Sequence, residues 1–122
     1  MVIIKKETME QLSKELSLPY TGTEQDWDIE MADSNRIDEF IKFYKESHLC
    51  DDKKVAVMSL ILASYDDLLN ENNLEIDDRW NEIKSILKSE MIIFVDLIDY
   101  WSLSNEEEDN LFQITPLVRN IK

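Results

Sequence analysis

One glycine and two prolines in 122 residues leave this chain few ways to turn. Sandwiches and barrels need turn residues every ~8–12 positions, so the scarcity argues against an all-β fold and for helices. The length suits one domain, residues 1–122, with room for a real core. Hydrophobic residues at 43% place it with ordinary globular proteins.

The densest apolar segment runs from Met91 to Trp101. Met91, Phe94, Ile98 and Trp101 share one helical face, and Ile93, Leu97 and Tyr100 make a second. A helix apolar on most of its circumference is expected at the centre, covered by neighbours. It is far short of the roughly 20 apolar residues that cross a bilayer. Asp96 and Asp99 interrupt it on one shared face.

The other elements follow from period and punctuation. Thr8-Met9-Glu10-Gln11 has the form of a capping box, followed by the Met9, Leu12, Leu16 stripe, with Pro19 as the stop. Residues 24–33 are ambiguous. Trp27, Ile29 and Met31 alternate with acids at the strand period, yet Trp27 and Met31 are also one helical turn apart. With no partner strand in view, a short helix is expected. Ser34 can cap a helix carrying the Ile37, Phe40, Ile41, Tyr44 stripe. Asp51 or Asp52 caps a second central helix, Lys53 to about Leu69, which should touch the helix at 90–101. Asp77 caps a helix carrying Trp80, Ile83 and Leu87. Ser102 to Asn110 reads as an acidic loop, and Thr115-Pro116 as a helix start. The expectation is an orthogonally packed all-α domain of about six helices.

Little here supports chemistry. His48 and Cys50 are the one His and the one Cys, too few for a zinc site. His48 reads as a helix-end residue and Cys50 as a small buried hydrophobe. Residues 70–78 lack the glycine of a calcium loop, and Gly22 alone cannot build a phosphate loop. Nothing places His48 near Ser59 or Ser64 for nucleophilic catalysis. No catalytic residue, cofactor or metal is therefore expected. Asp96 and Asp99 read as structural, marking a wet face or pairing with Arg119 or Arg79. Trp101 and Arg119 are read as structural too.

Charge carries more. The formal net charge is −14, from 27 acids against 13 Lys and Arg, with the excess running from Glu24 to Asp109. Such a field repels nucleic acid and anionic membrane and attracts cationic partners. The N-terminal stretch lacks the apolar segment of a signal peptide, and Cys50 has no internal partner, so the cytoplasm is the expected compartment. Two acidic stretches read either as solvated faces or as a patch that covers the basic site of a nuclease. Their residues are Asp26, Asp28, Glu30 and Asp33, and Glu106, Glu107, Glu108 and Asp109. Trp27 is the candidate aromatic anchor, with a core position as its alternative.

Two segments add a resemblance. One is Leu60-Ile61-Leu62-Ala63-Ser64-Tyr65-Asp66-Asp67. The other begins at Asp99-Tyr100-Trp101 and resumes at Phe112-Gln113-Ile114-Thr115-Pro116-Leu117-Val118-Arg119. Over residues 24–121 the pattern resembles small bacterial immunity proteins encoded beside polymorphic toxins of the contact-dependent growth inhibition type. The resemblance implies a non-enzymatic inhibitor that binds one toxin's C-terminal domain in the cytosol, often a nuclease. It carries no binding residues onto this sequence. The rivals are an acidic DNA mimic acting on a host nuclease or DNA-binding protein, and a small enzyme using Asp96 or Asp99.

Overall fold

The computed structural model describes residues 4–24, 26–102 and 112–121. Among them the chain is all-helical, with no strand. The helices are α1 (Lys6–Glu15), α2 (Trp27–Met31), α3 (Ile37–Glu46), α4 (Asp51–Glu71), α5 (Arg79–Ser89), α6 (Met91–Ser102) and α7 (Thr115–Arg119). A 3-10 turn, Ser34–Arg36, leads into α3. None of these helices is long and apolar enough to cross a membrane.

The helices end with almost no glycine. Ser17 takes φ 54° after α1, and the Leu18 N–H reaches back to the Ser13 carbonyl at 2.8 Å. Asn73 takes φ 52° after α4, and the Leu74 N–H reaches the Leu69 carbonyl at 2.9 Å. These are left-handed C-caps that usually employ glycine. Gly22, at φ 96°, turns the chain between α1 and α2. There the Glu24 carboxylate accepts N–H bonds from Thr21, Gly22 and Thr23 at 2.9–3.0 Å. These bonds, that from Thr21 foremost, hold the Glu24 carboxyl below its ordinary value.

α4 is the axis of the fold. Every residue from Ala56 to Asp66 is buried, three full turns with no wet side. α1, α2, the 3-10 turn, α3 and α6 all pack on it, and α7 packs on α6. Side chains pin the layers. The Trp27 Nε1–H donates to buried Ser13 Oγ at 2.9 Å, tying α2 to α1. Arg36 donates to the Leu16 carbonyl at the end of α1 (2.5 Å) and lies over the Phe40 ring. The Tyr65 hydroxyl donates to Asp77 Oδ1 at 2.8 Å, while the Tyr65 ring stacks on Trp80 of α5. That same Asp77 oxygen accepts the Arg79 N–H in the first turn of α5. Glu90, between α5 and α6, accepts from Lys54 of α4 at 2.7 Å.

Five expectations need correction. α6 touches α4, but it is not a covered central helix: Ile92 is 94% exposed, and Val95 and Met91 also face solvent. Apolar periodicity reports only that a helix has no polar face. Whether a neighbour covers it is decided by packing from distant parts of the chain. α1 begins at Lys6, and Thr8 is a buried residue inside it rather than a cap. Ser34 lies inside the 3-10 turn and its hydroxyl donates to Glu71 of α4 at 3.0 Å, so it does not cap α3. α4 begins at Asp51, so Asp51 and Asp52 occupy its first turn beyond Cys50. Cys50 is exposed rather than a buried hydrophobe.

Candidate protein-interaction surface

The acids of residues 26–33 divide by the local structure they serve. Asp33 accepts the Asn35 N–H at 3.0 Å and so caps the 3-10 turn, while its own N–H donates to Ser64 Oγ of α4. Glu30 accepts the Asp26 N–H at 2.9 Å, which closes the first turn of α2. Asp26 is exposed, and Asp28 is half-buried. Burial lifts the Asp28 carboxyl above its ordinary value, and the charge of Asp26 adds to the lift. Among the described residues no Lys or Arg forms an ion pair with any of these four acids.

Trp27 is not the exposed anchor. It is 2% exposed, with its indole nitrogen bonded to Ser13, so its place is the core. The exposed groups beside the acids are Ile29, at 45%, and Tyr100, at 37%. Tyr100 sits near the C-terminal end of α6 against Trp101 and Phe112. Burial chiefly, and then the Asp28 and Asp26 carboxylates, raise its hydroxyl above the ordinary value. The acidic edge of α2 therefore adjoins the solvent face of α6.

The charge excess that runs from Glu24 to Asp109 comes in stretches without bases. Nineteen of the 27 acids fall in three stretches without a Lys or Arg: six in residues 15–35, six in 55–78 and seven in 89–118. The other eight acids accompany all 13 Lys and Arg, so the rest of the chain carries a net positive charge. Some acids are paired: Arg79 holds Asp38 at 2.8 Å and Asp77 at 2.6 Å, Arg36 holds Glu39, and Lys45 holds Glu82. Within the first and last stretches, Glu15 and Glu90 are held by Lys53 and Lys54 of α4. The fold brings the first and last of these stretches together at Tyr100, where Asp26 and Asp28 act on its hydroxyl and Ile29 shares a cavity wall with Trp101 and Phe112. Counting Lys and Arg along the sequence narrows the excess to three stretches, and the fold decides which of them meet.

The residues expected to be structural separate as well. Trp101 is 1% exposed and packs on Phe112 at 4.5 Å, while its carbonyl accepts from Thr115 Oγ1. Arg119 Nε donates to the Ser102 carbonyl at 2.7 Å, closing the end of α6 where the helix dipole favours a cation. Asp96 and Asp99 lie exposed on α6, on its wet face rather than in the core, and Arg79 is engaged elsewhere. Glu106, Glu107, Glu108 and Asp109 lie outside the described residues.

For chemistry the described residues offer little. No group of three His, Cys, Asp or Glu is placed to hold a metal among them. A cavity of about 60 Å³ between Ile29, Ala63, Asp66, Trp101 and Phe112 has room for water-sized guests only. The Asp66 carboxyl in its wall is raised by burial and accepts the Ile114 N–H at 3.0 Å. That bond fastens the C-terminal segment to α4. No protein-family model, curated protein or solved structure matches the chain.

Proposed function

We propose that this chain is a binding inhibitor that neutralises a cationic toxin domain, of the nuclease class, in the cytosol of the producing cell. The observation behind the reading is the junction of two base-free acidic stretches at Tyr100, with Ile29 exposed beside it. A nuclease reads phosphate with a basic site, and a negative surface is steered onto such a site at long range. Apolar groups among the acids then supply contact area that does not depend on salt. The same mixture favours an immunity protein over a DNA mimic, whose acids would follow one another like duplex phosphates without apolar interruption. The inhibitor acts by occlusion, so it needs no catalytic group of its own.

The test is co-expression with the C-terminal domain encoded by the neighbouring reading frame. The expected result is restored growth and a stable 1:1 complex. Growth arrest despite abundant folded protein, with no complex in the lysate, would contradict the reading.

A further inference from the structure

The N-terminal half of α6 carries a feature that the acidic edge of α2 does not explain. Ile92 is 94% exposed, and Val95 is 50% exposed on the same arc of the helix. Beside this ridge runs a groove of about 320 Å³ between the start of α1, the first turns of α4 and α6. Ile4, Val55, Ile93 and Leu97 make its apolar floor, and Lys5, Asp52 and Asp96 its rim. The rim's one cation is already engaged, since Lys5 meets Asp52 at 3.2 Å. The remaining rim charge is therefore negative, and α6 contributes no Lys or Arg at all. A ridge next to an apolar groove is the form in which an amphipathic helix is received.

Charge selects the occupant. A second copy would bring another −14 and set Asp96 against the acids of the same face. A neutral apolar helix would leave the rim carboxylates desolvated and unpaired. We infer that this face receives a cationic amphipathic helix of the partner protein. Its apolar row covers Ile92 and Val95 and fills the groove, and its Lys or Arg side chains meet Asp96. The inference rests on the partner-binding reading for the existence of a partner, but the chemistry of the face can be tested apart from it.

The probe is an amphipathic helical peptide of leucine and lysine, with an alanine–lysine peptide of equal charge as control. Amide shifts of the labelled protein are followed by NMR during titration. The expected result is saturable shifts at Val55, Ile92, Ile93 and Val95 with the leucine–lysine peptide, and weaker binding of the control. Ile92→Asp should weaken binding by about tenfold or more, since it removes one buried apolar side chain. Ile92 is exposed, so the variant should keep the parent's spectrum elsewhere. Equal binding of both peptides, shifts confined to α2, or an unaffected Ile92→Asp would each overturn the inference. So would a dimer in sedimentation that Ile92→Asp dissolves, or contacts from residues 1–3 to Ile93 in the free protein. Should the variant still capture and neutralise the toxin domain as the parent does, the docking helix is wrong and the inhibitor reading stands. Should the parent capture nothing, the inhibitor reading is wrong whatever the peptides do.

Discussion

Ser17 ends α1 in a conformation that an L side chain rarely adopts, and Asn73 does the same for α4. Glycine removes that steric cost, about 1 kcal/mol for an L residue. Ser17→Gly should therefore raise stability by about 0.5–1 kcal/mol in urea unfolding. The buried Ser59 hydroxyl, which has no hydrogen-bond partner among the described residues, argues likewise. Ser59→Ala removes an unmatched polar group and improves helix propensity, so it should stabilise by about 1 kcal/mol. A loss of stability in either variant would mean that the side chain makes a contact worth keeping. Trp27→Ala should do the opposite, costing about 3–5 kcal/mol as a core cavity and a broken bond to Ser13. The sequence placed Trp27 and Met31 one turn apart, which made the short helix legible. It left open whether Trp27 turns inward or outward, because its partner Ser13 lies on another helix. Tyr100 was counted as core for the complementary reason: apolar spacing cannot report that α2, rather than a covering helix, stands beside it.

α4 and α6 look alike as elements, both apolar nearly all round, yet they differ in what covers them. α4 gathers α1, α2, α3 and α6 around itself, while the Ile92 side of α6 faces solvent. Substitution should separate them. Leu60→Ala, in fully buried α4, should cost about 2–5 kcal/mol, whereas Ile92→Ser should change stability by less than about 0.5 kcal/mol. Thermal melts of the two variants check this directly. A large loss at Ile92 would mean that the face is covered within the chain itself. Helix positions were legible because each has its own stripe and stop signal. The rank of the helices was not, since it depends on contacts between residues dozens of positions apart.

At the scale of the whole molecule, charge opposes the fold and serves the surface. Asp28 and Asp66 have carboxyl values raised by burial, so their charged forms are penalised in the folded state alone. Each such group costs stability above its folded value, and the cost is relieved as pH falls through that value towards the ordinary one. Asp38 and Glu39 are held low, chiefly by hydrogen bonds from Arg79 and Arg36, so their contribution is lost only below the ordinary carboxylate range. Reduced self-repulsion of the −14 charge acts in the same direction as the buried acids. The urea midpoint should therefore rise as pH is lowered from about 7 to about 5, before falling in stronger acid. A midpoint that falls steadily from neutrality would mean that paired carboxylates dominate. The all-α class was legible from one glycine and an apolar period. The interaction surface was only half legible, because sequence gives the sum of the charge while the fold decides which base-free stretches meet.

The most direct test of the central claim is the association rate between this protein and the toxin domain of the neighbouring reading frame, measured by stopped flow across ionic strength. The parent should associate quickly at low salt and slow steeply as salt is added. A variant with Asp26, Asp28 and Glu30 changed to Lys should start slower and show a flatter salt dependence. Equal rates and equal salt slopes for the two proteins would contradict the account, because the acidic edge joined at Tyr100 would then play no part in recognition.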